Sequence, residues 1–166
     1  MEVFQTYYQS PVGVLRISST DTYITEVHFL NNPETGIVYG LPGNAPAVLQ
    51  QCVDELTAYF DGQLREFTIP VVQEGTPFQQ KVWNELLNIP YGKTISYMDM
   101  AKRLGDPKVI RAAASSNGKN HVAIIVPCHR VIGSNSSLIG YGGGLWRKKI
   151  LLELEAKHTY GVQTLW

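Results

Sequence analysis

The sequence predicts an α+β protein, with a small sheet-and-helix module at residues 1–73 and a mainly helical module at residues 76–166. Three observations predict this order. Alternation of apolar and polar residues is confined to the start of the chain. Two capped helix starts follow Gln73. The charge balance also changes sign between the two parts, as expected for modules with different surfaces.

Length and composition limit the class of protein. A chain of 166 residues can form one ordinary domain or two small ones, and 44% hydrophobic with 17% charged residues is typical of a folded protein. No apolar run is long enough for a membrane span, and residues 1–10 lack the pattern of a signal peptide. We therefore expect a cytoplasmic protein without a membrane partner and a monomer in solution. Cys52 and Cys128 are not expected to form a structural disulfide in a reducing compartment.

The first module is predicted to contain a hairpin and one helix. Apolar and polar residues alternate in Val12–Ser18 and again in Tyr23–Phe29, with turn residues between them. A segment rich in Asn, Pro and Gly follows as a loop. Helical spacing of apolar residues predicts a helix over Val48–Phe60, which Asp61-Gly62 should end. A short strand around Phe67–Val71 would complete the sheet.

The second module begins with a capped helix and continues with a pair of short helices. Thr76-Pro77-Phe78-Gln79 combines a Thr cap, Pro at the first helical position and Gln three residues after the cap. Ser96-Tyr97-Met98-Asp99 is a variant of the same capping box and opens a short helix to Leu104. A turn with Gly and Pro precedes a second helix over Lys108–Ser116. Short helix, glycine-containing turn and short helix indicate a helix-turn-helix unit.

The charge asymmetry agrees with a polyanion partner for the second module. Between Ala101 and Ile150 Asp106 is the only acidic residue among many basic ones, whereas acidic residues dominate the first module. Arg111 lies early in the second helix of the pair, and the small residues Ala112–Ser116 would let that helix approach a nucleic-acid groove. Two alternatives stay open at this point: a solvated basic face, and packing of the alanines against a neighbouring helix.

The chemistry centres on a cysteine at the end of an apolar run. His121–Val126 is predicted to be a buried strand, and Cys128-His129-Arg130 follows it after Pro127. A thiol beside an imidazole and a guanidinium has neighbours that can lower its pKa and make it a nucleophile. The alternative is an inert core cysteine. A zinc site fits the sequence less well than either interpretation, because adjacent Cys and His residues are not a usual chelating pair and the sequence has no second Cys/His pair.

Ile125-Val126-Pro127-Cys128-His129-Arg130-Val131-Ile132 resembles the active-site signature of the O6-alkylguanine-DNA alkyltransferases. The resemblance is strong from Thr76 to Glu155 and includes Pro90-Tyr91-Gly92, Arg111-Ala112 and the Tyr141–Leu145 loop. The first module matches the family in size and type only. The resemblance implies a winged helix-turn-helix DNA-binding domain that carries a reactive cysteine, and irreversible, stoichiometric transfer of a methyl or alkyl group from guanine O6 in double-stranded DNA to Cys128. O4-alkylthymine is a second candidate substrate.

The resemblance also implies roles for the catalytic residues. Cys128 would be the acceptor, His129 would deprotonate it through a water, and Glu155 would orient His129. Asn120 would be the hinge asparagine of the family, and Tyr97 would assist departure of the dealkylated base by a hydrogen bond at guanine N3. No cofactor and no structural metal are implied.

Further residues are implied in the pocket and at the DNA surface. The pocket would be lined by Pro127, Val131, Tyr141, Gly142 and Gly143, with the Gly142 amide directed at guanine O6 and the carbonyls of Cys128 and Val131 accepting from the exocyclic amine. Arg111 would enter the duplex as an arginine finger when the damaged nucleotide rotates out. The predicted DNA contacts are Arg111, Tyr97, Ala112, Ala113, Ser116, Arg130 and Lys148.

Two other classes of function are weighed against this one. A DNA-binding regulator or lesion sensor would use the same basic half, but it would not need a thiol at a pocket. A cysteine hydrolase would need an oxyanion-forming site, and no sequence feature favours one over alkyl transfer.

Overall fold

The structure is a computed structural model that describes residues 2–33, 36–133 and 140–161. It divides into two compact units, Met1–Gln73 with His121–Ala123, and Glu74–Asn120 with Ile124–Trp166. The predicted α+β class, with a sheet-and-helix unit before a mainly helical one, is confirmed. The division lies between Gln73 and Glu74, and His121–Ala123 belongs to the first unit and not to the second.

The first unit is a three-stranded antiparallel sheet covered by one helix. Its strands are β1 (Phe4–Ser10), β2 (Gly13–Ser19) and β3 (Ile24–Phe29), in the order β1-β2-β3, and its helix is α1 (Ala47–Phe60). The predicted hairpin corresponds to β2 and β3, and the predicted helix corresponds to α1. Apolar side chains from the sheet and the helix, such as Leu15 and Leu56, are completely buried between them.

The second unit contains the remaining elements. They are α2 (Pro77–Leu86), β4 (Ile95–Ser96), α3 (Tyr97–Arg103), α4 (Ile110–Gly118), β5 (Val131–Ile132) and α5 (Leu145–Tyr160). Strands β4 and β5 form a short parallel pair. The indole nitrogen of Trp83 in α2 donates to the carbonyl of Ser116 in α4 over 2.8 Å, which joins these two helices in the core. No helix in the described ranges has the length and apolarity needed to cross a bilayer.

Both predicted capping boxes are confirmed. The Thr76 hydroxyl accepts from the Gln79 amide over 3.1 Å, and the Gln79 side chain accepts from the Thr76 amide over 2.9 Å. Ser96 and Asp99 form the same reciprocal pair at the start of α3. The helix predicted over Lys108–Ser116 is real but begins later, at Ile110, because a 3₁₀ turn capped by Asp106 precedes it.

The strand predicted at Phe67–Val71 is wrong in most of its length. Val71 forms only an isolated bridge to Ile24, and the third strand of the sheet is β1 instead. Two buried positions of β1 carry polar residues, Thr6 and Ser10, whose hydroxyls donate to backbone carbonyls over 2.7 Å. This buried polarity hides the alternation that would otherwise reveal the strand.

The run His121–Val126 is not a strand, and it is buried from Val122 onward while His121 is exposed. Val122 pairs with Val27 of β3 in a single bridge, and the chain then turns through Ile124, which has a φ of 71°. Apolar side chains are required here because the run supplies the core of two units in succession, the first up to Ala123 and the second from Ile124. Burial without a continuous ladder explains why the apolar pattern wrongly predicted a strand.

Candidate active site

The candidate site is built around the 3₁₀ turn Cys128–Arg130, which lies between Pro127 and β5. All three side chains of the turn are buried. Since β5 pairs with β4 and β4 leads directly into α3, the turn is held in register with the start of the helix-turn-helix. The sequence places the thiol, the imidazole and the guanidinium side by side, and the fold brings the imidazole and the guanidinium to Glu155 while the sulfur accepts from Asn120.

The Cys128 sulfur accepts a hydrogen bond from a side chain of the second unit. Asn120 Nδ2 donates to Sγ over 3.3 Å and also to the Val126 carbonyl over 2.8 Å. Burial raises the pKa of the Cys128 thiol, although Asn120, the Lys148 charge and Tyr141 act in the opposite direction. The prediction of a lowered pKa is therefore wrong for this state, and the thiol needs a base to become a nucleophile.

His129, Glu155 and Arg130 form one buried network. His129 Nε2 lies 2.6 Å from Glu155 Oε2, and Arg130 forms a bidentate pair with the same carboxylate at 2.9 Å and 3.1 Å. Arg130 Nη1 donates to the Ile89 carbonyl over 2.7 Å, and the Gly92 amide donates to Glu155 Oε1 over 3.1 Å. The carboxylate thus orients the imidazole while its charge is balanced by the guanidinium.

The charges and hydrogen bonds of this network keep Glu155 ionised, and burial keeps His129 neutral. Burial acts to raise the pKa of Glu155, but the charges and hydrogen bonds of His129 and Arg130 together lower it below its usual range. Burial lowers the pKa of His129, against the influence of Glu155. His129 Nδ1 is buried and has no hydrogen-bond partner among the described residues, so this nitrogen can accept a proton.

Lys148 and Tyr97 lie on another side of the thiol. Lys148 is completely buried, with its ammonium 5.7 Å from the centre of the Tyr97 ring. Burial lowers the pKa of Lys148 to about 8, and the nearby Cys128 acts to raise it. The Tyr97 hydroxyl donates to the Gly140 carbonyl over 3.1 Å, and burial raises its pKa. A lysine of this kind can change its charge near neutral pH in response to the state of the sulfur.

The predicted pocket residues occupy the loops around the turn. Pro127 and Val131 are buried on either side of it. Gly142 is exposed, whereas the carbonyl of Gly143 accepts from Arg147 Nη1 over 3.1 Å. That bond fixes the loop against the first turn of α5. Tyr141 of this loop acts to lower the pKa of the Cys128 thiol, which associates the loop with the thiol.

The predicted DNA contacts divide into exposed and buried residues. Arg111 and Ala112 are exposed on α4, together with Ser115 and Lys119 at its end. Direct contact is not supported for four other predicted residues, because their side chains are buried: Ala113, Ser116, Arg130 and Lys148. Ala113 packs in the core, the Ser116 carbonyl accepts from Trp83, Arg130 pairs with Glu155, and Lys148 lies beside Tyr97. Tyr97 is also largely buried, within the site rather than on a surface.

Asn117 is a residue of the site that the sequence did not reveal. It is buried in the last turn of α4, where Nδ2 donates to the Cys128 carbonyl over 3.3 Å. A polar residue near a helix end usually indicates a cap or a solvated position. The only available signal was that Asn117 precedes Asn120 by one helical turn, which places both amides on the side facing the Cys128 turn.

Family models match nearly the whole chain. Residues 77–157 match a family described as "6-O-methylguanine DNA methyltransferase, DNA binding domain", and residues 3–73 match "6-O-methylguanine DNA methyltransferase, ribonuclease-like domain". A methylated-DNA–protein-cysteine methyltransferase from Mycobacterium leprae is 47% identical over 150 residues, 90% of this chain and 89% of the relative. A constitutive protein of that name from Bacillus subtilis is 40% identical, over 92% and 94% of the two chains.

Solved structures show the same similarity. The crystal structure of the Mycobacterium tuberculosis O6-methylguanine methyltransferase superposes with a TM-score of 0.83 at 41% identity, covering 95% of both chains. The structure of the M. tuberculosis protein in complex with DNA gives 0.82 at 42% identity, covering 93% of both chains.

Proposed function

This chain belongs to the 6-O-methylguanine DNA methyltransferase family, and we propose that it repairs O6-alkylguanine in DNA by moving the alkyl group irreversibly to Cys128. Its activity is that of a methylated-DNA–protein-cysteine methyltransferase. The observation that carries the assignment of Cys128 is a buried thiol that neighbours a buried His129–Glu155 pair with Nε2 and Oε2 2.6 Å apart. A plain DNA-binding module has no need of this arrangement.

The reaction is a displacement at the alkyl carbon. The sulfur of Cys128 forms a bond to that carbon while the bond from the carbon to guanine O6 breaks. The thiol loses one proton and the dealkylated guanine gains one, so the products are a thioether on Cys128 and an unmodified guanine in the DNA. Because a thioether offers no leaving group under these conditions, each molecule reacts once.

His129 serves as the base. Since burial raises the pKa of the Cys128 thiol, the proton must be removed in the reaction, and the neutral His129 ring accepts it at Nδ1 through a water. Glu155 stabilises the imidazolium that results, because its carboxylate lies against Nε2. Asn120 donates to the sulfur and stabilises the thiolate, and Tyr141 also acts to lower the pKa of the thiol.

Residues around the thiol assist the departing base. The Tyr97 hydroxyl donates to guanine N3, the Gly142 amide donates to O6, and the carbonyls of Cys128 and Val131 accept from the exocyclic amine. Together these groups select guanine and stabilise the charge that develops on it as the alkyl group leaves. The Tyr97 bond to Gly140 is exchanged for the bond to the base.

The damaged nucleotide reaches this site by rotating out of the duplex. Chemistry at O6 is blocked while the base is stacked, and extrusion costs a few kcal/mol. Arg111 is exposed near the start of α4, where its guanidinium can enter the duplex and fill the space left by the base. Ala112 and Ser115 present small side chains on the same helix and permit a close approach.

Intact mass spectrometry tests the proposal. The protein is incubated with a duplex containing one O6-methylguanine, and the wild type is compared with Cys128→Ser and Cys52→Ser. We expect the wild type and Cys52→Ser to gain one methyl group per molecule and no more, and Cys128→Ser to gain none. Cys52 is the matched control, because burial raises its pKa to about 12 and keeps it an inert thiol.

Two results would change the assignment. Tight binding to the damaged duplex without any mass gain would favour a lesion sensor. Release of alkyl product with repeated turnover would favour a hydrolytic enzyme.

A further inference from the structure

The segment that precedes β4 contacts both charges of the buried network. Its Gly92 amide donates to Glu155 Oε1 over 3.1 Å. The carbonyl of Ile89, three residues earlier, accepts from Arg130 Nη1 over 2.7 Å. The backbone of this short segment therefore supplies a donor to the carboxylate and an acceptor to the guanidinium that pairs with it.

Two constraints favour glycine at position 92. Gly92 is the third residue of a turn that the Lys93 amide closes by donating to the Pro90 carbonyl over 3.1 Å, and its φ is 78°, which residues with a side chain rarely adopt. A methyl group at this position would also overlap Thr159 Oγ1 and lie 3.0 Å from Thr159 Cβ. A shift of the turn away from α5 would relieve these contacts, but it would also lengthen the bond from the Gly92 amide to Glu155.

The last turn of α5 is itself fixed against this glycine. Thr159 lies one helical turn after Glu155, and its hydroxyl donates to the Glu155 carbonyl over 2.7 Å. The hydroxyl of Tyr160, the next residue, donates to the Gly92 carbonyl over 3.3 Å. The end of α5 thus holds Gly92 by its carbonyl, while Gly92 holds the Glu155 carboxylate by its amide.

We propose that Gly92 is a positioning residue for the base, which acts through Glu155 to hold the His129 ring with Nδ1 available to the thiol. The inference rests on the proposed function, since it uses the role of His129 as the base. None of the described hydrogen bonds joins Gly92 to the sulfur or to the imidazole. Its replacement should therefore weaken removal of the proton and leave the thiolate, once formed, as reactive as before.

The pH dependence of single-turnover methyl transfer distinguishes positioning from a general structural role. Gly92→Ala and the wild type are compared on a saturating duplex that contains O6-methylguanine, from about pH 7 to 10. Near neutral pH the thiol is protonated and needs the base, so we expect the rate in Gly92→Ala to fall by about tenfold or more. The deficit should contract as the pH rises, because the thiol then ionises without His129.

His129→Gln supplies a second comparison. In this background the base is absent, so the addition of Gly92→Ala should change the rate by less than about twofold. If the two residues acted independently, the double variant would instead show the product of the two separate losses.

Gly161→Ala is the control for backbone strain. Gly161 follows α5 with a φ of 74°, and a methyl group there would meet no atom within 4 Å among the described residues. This variant should therefore lower the melting temperature without changing the rate of transfer or its pH dependence. If Gly92→Ala does not fold, an ester in place of the Gly92 amide removes only the N–H group, and the same pH-dependent deficit is expected.

The outcomes are distinct. A deficit that is equal at every pH, an unchanged rate, or multiplied losses in the double variant would overturn the inference while the proposed function stands. Absence of methyl transfer by the wild type would overturn the proposed function itself.

Discussion

The carboxylate of Glu155 accepts hydrogen bonds from three residues, and this determines what His129 can do. Oε1 accepts from the Gly92 amide and from Arg130 Nε, while Oε2 accepts from Arg130 Nη2 and lies against His129 Nε2. We assign the hydrogen of the neutral ring to Nε2, since a carboxylate only accepts. Nδ1 is then the basic nitrogen. Arg130, the guanidinium that the sequence suggested for DNA, instead allows a carboxylate to remain charged in the core.

The first prediction compares this buried pair with an exposed one. Arg130→Gln leaves the Glu155 charge without its bidentate partner, so we expect the free energy of unfolding to fall by about 3–5 kcal/mol. The control is Arg103→Gln, since Arg103 pairs with Glu85 at 3.8 Å with side chains 40% and 25% exposed, and the expected change is about 0–1 kcal/mol. Urea denaturation measures both. Equal losses would show that Arg130 contributes no more than a surface cation.

The second prediction concerns acid stability. Burial lowers the pKa of His129 from 6.5, so below that pH the unfolded chain binds more protons than the folded one, and the free energy of unfolding decreases as pH falls. Glu155, whose pKa is also lowered, adds to this loss below pH 4.5. We expect His129→Gln to flatten the dependence between about pH 6.5 and 5. His28 is an exposed histidine of β3, so His28→Gln should leave the dependence of the free energy of unfolding on pH as in the wild type. An equally steep dependence in both variants would show that His129 is not its source.

The reactive residues differ in how far sequence could identify them. Cys128 and His129 are recognisable by their adjacency after an apolar run, and Glu155 only by resemblance to a family, because a glutamate in a last helix usually faces solvent. The direction of a side chain within a 3₁₀ turn is set by tertiary packing. For that reason the sequence did not reveal that Arg130 is buried against Glu155 or that burial raises the pKa of Cys128.

At the scale of elements, Ser96 connects the helix-turn-helix with the reactive turn. It is the last residue of β4 and the N-cap of α3, and it pairs with Ile132 of β5, which follows the Cys128–Arg130 turn. The first residue of α3 is Tyr97. The capping bonds of Ser96 therefore set where Tyr97 begins its helix relative to the thiol.

The third prediction tests this cap. Ser96→Ala removes the acceptor for the Asp99 amide, and we expect a loss of about 1 kcal/mol in the free energy of unfolding. Ser115→Ala is the control, because Ser115 is an exposed residue inside α4, and its replacement should change stability by less than about 0.5 kcal/mol. Thermal unfolding of the two variants side by side measures the difference. If the Ser96 cap did not contribute to stability, the Ser96→Ala and Ser115→Ala variants would have equal melting temperatures.

Elements with a local cause were predictable, and elements that depend on distant partners were not. The starts of α2 and α3 follow from capping residues within four positions of one another, so short-range pattern identified them. Strand β1 was missed because its buried hydroxyls donate to carbonyls such as that of Gly40, far along the chain. The run His121–Val126 was predicted to be a strand because a buried segment and a paired strand have the same apolar pattern. The structure shows instead that the run is shared by two units, the first up to Ala123 and the second from Ile124.

For the whole molecule, a formal net charge of zero conceals a division of charge between the units. The basic residues of the second unit are themselves of two kinds. Arg130, Arg147 and Lys148 are buried, whereas Arg111, Lys119 and several others are exposed. Counting charges along the sequence cannot separate these groups. Only the exposed ones can replace counterions on a DNA backbone.

The fourth prediction uses the salt dependence of DNA binding to distinguish the exposed basic residues from the buried ones. Each cation that neutralises a phosphate contributes about 0.9 to the slope of log K against log salt for duplex DNA. We expect Lys119→Gln to reduce that slope by about one unit, in line with one lost phosphate contact. Lys148→Met should leave the slope unchanged, because this ammonium is buried beside Tyr97, but it should slow methyl transfer by removing a charge near the thiolate. Fluorescence anisotropy with an undamaged duplex at several salt concentrations measures the slope. A reduced slope in Lys148→Met would mean that this lysine leaves the core and meets the phosphates when DNA binds.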